Sequence, residues 1–363
     1  MDRFSYAVSR KEKCDIVVGT DILRTALSDA LRAHGIARVY LVADAITRKT
    51  VESLIEAIPV PLVRNPLYVE GGEGAKTLAH VEEALSQLAG AGVTRKDGIV
   101  VVGGGSVLDA WGFVAAIFKR GVPAFYVPTT LLAMVDAAIG GKTAVNLGEA
   151  KNQVGVIRNP SAIIMDRVFL KTLPEAHVYA GLGEVVKTAL LAGGRLLDEV
   201  AAYLRSFDGT AEPSEQIVLE TARYKASIVE EDPYEERGLR DILNFGHTAG
   251  HAIEGALEGS VPHGICVAHG MRVEQRLAWA QGLCSENVFD LVVRLTEPIV
   301  GKYPLESWSG KRARTLLRAD KKKMDARTIR FVFIEEPGKP ALSDVEEDQF
   351  GEFLEEYCGE QRG

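Results

Sequence analysis

The chain has 363 residues, 47% hydrophobic and 25% charged, a composition that excludes disorder and a length that gives two cored domains as the expectation. Its 42 basic and 50 acidic residues leave a formal charge of −8 without a long basic tract, so a nucleic-acid surface has no support, and no apolar stretch reaches the ~18 residues of a membrane span. The start of the chain lacks the basic-then-apolar order of a secretory signal, and Cys14, Cys266, Cys284 and Cys358 show no CxxC spacing, which disfavours a disulfide framework and a thiolate zinc site and points to the cytoplasm.

In chain order, helical spacing over 21–34 precedes Val39-Tyr40-Leu41-Val42, an apolar run that reads as a buried strand and ends in Ala43-Asp44. Helical spacing returns over 76–89, and a second run, Ile99-Val100-Val101-Val102, stops at Gly103-Gly104-Gly105-Ser106. Phe125-Tyr126-Val127 and Ile163-Ile164-Met165 continue the series, and short apolar runs alternating with helices predict a parallel sheet buried on both faces. Beyond Pro174 the pattern becomes helical, over 175–204, 214–231, 247–256, 264–281, 286–300 and 312–322, and only 329–334 resembles a strand. A domain boundary is therefore expected near 171–174, and the acidic end, 344–356, reads as a solvated helix face.

Four of the seven histidines, His247, His251, His263 and His269, fall in one stretch with Gly246, Gly250 and Gly264. His247 and His251, four apart, project from one helix face, and His263 begins a new apolar run after Pro262, so three imidazoles can converge on a divalent cation. The glycine run after the second strand sits where backbone N–H groups and a helix N-terminus receive phosphate, although Leu108 stands where a dinucleotide fingerprint has its third glycine. Gly141-Lys142-Thr143 resembles the end of a P-loop, but Asp136 occupies the position of the first glycine and removes the ATPase reading. Glu184 and Lys187 share one face of an apolar, glycine-rich helix start, where buried charges need partners or a metal. Lys142, Lys151, Asn152, Arg158, Lys187, Lys225 and Arg240 together suggest an anionic substrate.

At this point the text resembles the 3-dehydroquinate synthases within the sugar-phosphate cyclase group. The resemblance rests on Gly72-Glu73-Gly74-Ala75-Lys76, the run 103–109, Lys119-Arg120-Gly121, Val127-Pro128-Thr129-Thr130-Leu131-Leu132 and Gly140-Gly141-Lys142-Thr143-Ala144-Val145-Asn146. Further on it rests on Lys151-Asn152, Leu170-Lys171-Thr172-Leu173-Pro174, Gly183-Glu184-Val185-Val186-Lys187, Gly238-Leu239-Arg240, the stretch 244–254 and His263-Gly264. It implies a dehydroquinate synthase-like fold: an NAD-binding α/β domain with a Rossmann-like parallel sheet, 1–172, and a mainly α-helical metal- and substrate-binding domain, 173–363, assembled as a homodimer.

Residue by residue, the resemblance makes Glu184, His247 and His263 the ligands of a divalent metal, Zn²⁺ or Co²⁺, and moves His251 to the substrate. NAD contacts become Asp44, Glu73, Lys76, Gly104, Gly105, Asp109, Thr129, Thr130, Lys142, Lys151 and Thr172. The substrate phosphate falls to Lys142, Asn152, His251, Lys322 and Arg120 of the partner subunit, its carboxylate to Lys225 and Arg240, and its hydroxyls to Lys187, Asn244 and Asp136. The implied reaction is conversion of 3-deoxy-arabino-heptulosonate 7-phosphate to 3-dehydroquinate and phosphate, a step of the shikimate pathway to the aromatic amino acids. NAD⁺ is recycled within each turnover. The rival readings are a sister cyclase acting on sedoheptulose 7-phosphate or glucose 6-phosphate, a metal-dependent polyol or glycerol dehydrogenase, and a non-enzymatic regulator.

Overall fold

A computed structural model describes residues 13–56, 58–148, 150–305, 310–317 and 328–360. Two compact units emerge, Met1–Pro128 with Gly141–Asp166, and Thr129–Gly140 with Arg167–Gly363. The second unit takes up the chain at Arg167, ahead of the 171–174 boundary read from the pattern, and it also includes the short segment Thr129–Gly140.

The first unit is an α/β layer. In chain order it comprises β1 (Asp15–Gly19), α1 (Leu23–Ala33), β2 (Val39–Asp44), α2 (Arg48–Ile55), β3 (Leu67–Val69), α3 (Leu78–Gly90), β4 (Gly98–Gly103), α4 (Gly105–Ile117), β5 (Ala124–Pro128), β6 (Lys142–Leu147), β7 (Ala150–Ile157) and β8 (Ala162–Asp166). Six strands form a parallel sheet in the order β1-β8-β5-β4-β2-β3, with Val42 opposite Val101 and Val101 opposite Tyr126. Every residue of β2, β4, β5 and β8 is buried, which is why these strands are continuous Val/Ile-rich runs rather than alternating ones. At the end of β8 the buried Asp166 carboxylate accepts the N–H groups of Asp21 and Leu23, capping the start of α1. β6 and β7 form a separate antiparallel hairpin that the apolar pattern does not reveal, because its residues are largely exposed.

The second unit is mainly helical: α5 (Glu175–Ala192), α6 (Gly194–Arg205), α7 (Glu215–Glu231), α8 (His247–Ala256), α9 (His263–Ala280), α10 (Glu286–Val300), α11 (Gly310–Leu317), the strands β9 (Thr328–Glu336) and β10 (Lys339–Glu346), and α12 (Glu347–Glu360). Three expectations need correction. The helix expected over 175–204 breaks at Gly193, which adopts φ 64 and packs so tightly that a Cβ would lie 2.8 Å from the Gly338 backbone. The strand at 329–334 has a partner, β10, in register from Thr328↔Glu346 to Ile334↔Pro340, with a shift before Glu336↔Lys339. The acidic end is not one solvated face: 344–346 complete β10, and α12 buries Phe350, Leu354 and Tyr357 against Phe331 of β9 and Ile253 of α8 in one apolar cluster. The helix expected over 312–322 is observed as α11, and its remainder lies outside the described residues. Among the described residues no helix is long and apolar enough to cross a membrane.

Candidate active site

Three helices of the second unit carry the expected metal ligands, and glycines decide how closely they meet. Glu184 lies on α5 beside Gly183, and His263 opens α9 beside Gly264. A Cβ on Gly183 would stand 2.0 Å from the Gly264 carbonyl oxygen, and one on Gly264 would stand 1.8 Å from that of Ala180, so the two backbones touch beside the ligands. The α8–α9 pair repeats the device, with a Cβ on Gly270 falling 2.0 Å from the Gly246 carbonyl oxygen. Ordinary helix pairs are held about 8–10 Å apart by their side chains; these glycines remove that spacer.

The result is a convergence of lone pairs. Glu184 Oε1 lies 3.5 Å from His247 Nε2 and 3.7 Å from His263 Nε2, and the Glu184 side chain is 1% exposed. Each imidazole has its other nitrogen committed: Nδ1–H of His247 donates to the Phe245 carbonyl (3.1 Å) and Nδ1–H of His263 to Glu254 Oε2 (2.9 Å). Because both partners are acceptors, the neutral rings carry their proton on Nδ1 and turn Nε2 toward Glu184. Both Glu184 carboxylate oxygens are buried without a hydrogen-bond donor; Oε2 forms an ion pair with Lys187 and Oε1 faces the two imidazoles. A buried carboxylate oxygen facing two imidazole lone pairs is the donor set a divalent cation satisfies, so these residues fit the metal. His251 belongs to the same cluster, its ligand atom lying within 4.8 Å of those of His247 and His263. It is exposed, and it brings no buried charge that demands a cation.

Around this centre stands a chain of charges. Asp136, on the short π-helical segment Ala133–Ala137, accepts from Lys225 Nζ at 2.6 Å and lies 3.9 Å from Lys187 Nζ. Burial opposes its ionisation, but Lys225 and then Lys187 outweigh that and hold the Asp136 carboxyl well below the ordinary carboxylate range. Burial likewise works against both ammoniums, with opposite outcomes. Glu184 and Asp136 keep Lys187 above its ordinary value, whereas Lys225, repelled by Lys187, falls below its own. Burial also disfavours protonated His263, but the Glu254 carboxylate overrides it and raises the imidazole. Lys225 meets the segment at Asp136 and Arg240 meets it at Gly140, where a Cβ would lie 2.8 Å from Nη2. Arg240 is buried and pairs with Glu235 Oε1 at 3.2 Å, and Asn244 ends the turn Leu239–Asn244 that leads into α8.

The nucleotide-type residues of the first unit also assemble. The glycine turn lies between β4 and α4, with Gly104 as N-cap and Gly105 and Ser106 opening the helix, the arrangement that receives an anion. Asp44 is buried at the carboxyl end of β2, where burial pushes its carboxyl up despite the hydrogen bond from Ile46 N. Lys76, 2% exposed, joins Asp109 Oδ2 (2.8 Å), Asn152 Oδ1 (2.6 Å) and Glu73 Oε1 (3.7 Å), so three expected cofactor contacts and one expected phosphate contact share one network. Lys142 and Lys151 project from the β6–β7 hairpin, exposed, and Arg120 follows α4 with φ 64. Thr129, Thr130 and Thr172 belong to the second unit, where Thr130 Oγ1 accepts from Ala133 N. Lys322 lies outside the described residues. Sequence reasoning gave no role to Glu254, whose signal was its position seven residues after His247 on the same helix face.

Comparison with known proteins reaches residues of both units. The model of the 3-dehydroquinate synthase N-terminal family matches residues 66–180 and that of the C-terminal family residues 181–323. A 3-dehydroquinate synthase of Symbiobacterium thermophilum is 36% identical over 348 residues, covering 93% of this chain and 96% of its own. Among solved structures, 2-deoxy-scyllo-inosose synthase complexed with carbaglucose-6-phosphate, NAD⁺ and Co²⁺ superposes with a TM-score of 0.84 at 27% identity, covering 94% of this chain and 96% of its own. The 2-epi-5-epi-valiolone synthase of Streptomyces hygroscopicus subsp. jinggangensis, with NAD⁺ and Zn²⁺ bound, gives 0.84 at 25% identity, covering 98% and 100%. With family models matching both halves and a relative aligned over almost its whole length, the chain belongs to the 3-dehydroquinate synthase family.

Proposed function

We propose that this chain is an enzyme that converts 3-deoxy-arabino-heptulosonate 7-phosphate to 3-dehydroquinate and phosphate, working in the cytoplasm as a homodimer with Arg120 offered to the neighbouring subunit. The observation that carries the reading is the buried Glu184 Oε1 facing two imidazole nitrogens, next to an Asp136–Lys187–Lys225 charge chain, in a chain of this family. Overall the phosphate C–O bond breaks, a ring C–C bond forms, and the redox state of the product balances that of the substrate.

Glu184, His247 and His263 would hold Zn²⁺ or Co²⁺, and Asp44, Gly104, Gly105 and Asp109 with their neighbours would hold NAD. When bound, the metal supplies Lewis acidity to a substrate hydroxyl and NAD a reversible hydride acceptor. The protein's own groups do the rest. Lys187 Nζ, fixed between Glu184 and Asp136, is a permanent donor toward substrate oxygens. Lys225, with its lowered ammonium, and Arg240 supply the cationic pair for the substrate carboxylate. His251 presents an exposed imidazole that can hydrogen-bond the leaving phosphate or exchange a proton with it.

Likeness to two sister cyclases keeps a second reading in view, that the substrate is sedoheptulose 7-phosphate. Phosphate release should be measured with NAD⁺ and Zn²⁺ on each sugar phosphate while NADH absorbance is followed. Release from the heptulosonate phosphate alone, without net NADH, is expected. Release from sedoheptulose 7-phosphate would transfer the chain to the sister activity and demote Lys225 and Arg240 as carboxylate binders, and NADH accumulation without phosphate would indicate a dehydrogenase. The variant H263A should lose bound metal and phosphate release together, and stoichiometric metal retained in H263A would remove His263 from the ligand set.

A further inference from the structure

Glu274 is a fully buried carboxylate that none of the assignments above uses. From α9 it reaches the start of α8, where Oε2 accepts the Gly246 N–H at 2.7 Å and Oε1 the Ala249 N–H at 3.0 Å. The first N–H groups of any α-helix lack intrahelical partners, and a local Ser, Thr, Asp or Asn usually supplies them. At α8 no local cap is possible. Gly246 sits at φ 76, and a Cβ there would lie 2.6 Å from Met271 Cγ and 2.6 Å from the Val267 carbonyl oxygen. Glu274 therefore makes from a neighbouring helix the two bonds that a capping box makes locally, with its negative charge at the positive end of the helix.

The two anchored amides bracket His247, the first residue of α8. The ring of His247 is oriented by the Phe245 carbonyl, in the residue just before the anchored Gly246. The helix that provides Glu274 also begins with His263. One carboxylate thus ties the backbone under one imidazole to the helix bearing the other.

We propose that Glu274 is a positioning residue that sets the separation and orientation of His247 relative to His263, and through them the geometry of the metal site. The inference rests on the ligand assignment under the proposed function. In E274Q the side chain keeps its shape, but its NH₂ group faces one of the two N–H donors, so at most one cap bond survives.

The test compares wild type, E274Q, E274D and S214A. The last removes the local cap of α7, where Ser214 Oγ accepts the Ile217 N–H, and serves as a control for cap loss away from the metal. Zn²⁺ affinity is measured by competition with a chromophoric chelator, and the site geometry by the visible absorption of the Co²⁺-loaded proteins. We expect about 10- to 100-fold weaker Zn²⁺ binding and an altered Co²⁺ spectrum in E274Q, as for other groups that orient metal-binding side chains. E274D, which keeps the charge but loses reach, should also bind more weakly, whereas S214A should lose thermal stability with affinity and spectrum unchanged. Wild-type affinity and spectrum in E274Q would overturn the proposal. Failure of both Glu274 variants to fold, with S214A folded, would also overturn it and make Glu274 a folding residue. A wild type that binds no Zn²⁺ would instead defeat the ligand assignment, and this inference with it.

Discussion

Replacing Asp136 with Asn tests the charge chain beside the metal ligands. Asp136 Oδ1 is 2.6 Å from Lys225 Nζ and 3.9 Å from Lys187 Nζ. At an effective dielectric constant near 20 these separations correspond to gross attractions of about 6 and about 4 kcal/mol, set against a desolvation cost of several kcal/mol per ion. Asn removes the attraction and leaves the cost, because both ammoniums stay where they are. Lys187 retains Glu184, so the loss concentrates on Lys225. Removing one member of a buried pair typically costs about 3–5 kcal/mol, and because Asp136 and Lys225 are only partly buried a loss of about 2–3 kcal/mol of unfolding free energy is expected for D136N near neutral pH, measured by urea titration with circular dichroism. Removing Lys225 as well, in D136N/K225M, should recover part of it, since no unpaired ammonium then remains at that position. The folded carboxyl is held below its ordinary value. Its contribution is therefore complete above the unfolded carboxylate pKa of about 4 and fades as pH falls through the lower folded value. A loss below about 1 kcal/mol, or a double variant no better than D136N, would refute the argument.

Two further outcomes follow from buried groups of the helical unit. His269, fully buried, donates from Nε2–H to the Tyr303 carbonyl (2.9 Å) and accepts at Nδ1 from Tyr357 Oη–H (2.7 Å), and burial, against the Tyr303 hydrogen bond, lowers it from 6.5 to about 4. Its contribution to stability is complete above about 6.5 and is lost as pH falls toward about 4, a change of about 3 kcal/mol over that window; H269Q should flatten the unfolding midpoint between those pH values, and an unchanged slope would remove His269 as the cause. G264A should cost at least about 1–3 kcal/mol and weaken Zn²⁺ binding, because its Cβ would meet the Ala180 carbonyl oxygen at 1.8 Å and push α9 from α5, separating His263 from Glu184; wild-type Zn²⁺ affinity in G264A would show that the helix contact does not set the ligand distance.

What could be read from the sequence follows from which interactions are local. The runs at 39–42, 99–102 and 163–165 announced strands because central parallel strands are apolar on both faces and lie between clear helical stretches, whereas the short runs of the partly exposed edge strands, Ile16-Val17-Val18 in β1 and Leu67-Tyr68-Val69 in β3, are not set off in that way and the largely exposed hairpin β6–β7 has none. Helical periodicity placed His247 and His251 on one face and could not rank them; depth in the fold does, with His247 9% exposed and His251 at the surface. Glu184 stands far from the histidines in sequence, so no spacing rule connects them, and only the family resemblance named it a ligand. Glu254 and Glu274 look like any glutamates of amphipathic helices, because what separates a solvated carboxylate from one holding an imidazole or a helix N-terminus is the element packed against it.

The glycines offer the one local trace of this tertiary arrangement. Gly183 precedes Glu184, Gly246 precedes His247 and Gly264 follows His263, and each sits where a side chain would hold two helices apart. Side chains on separate helices are brought closer together when the helices nearly touch beside them, and here a glycine stands next to each of the three proposed ligands. Glycine in a helix costs about 1 kcal/mol relative to alanine and weakens the backbone where the ligands need it fixed. Remote anchors such as Glu274 at the start of α8 restore that rigidity without adding volume at the contact.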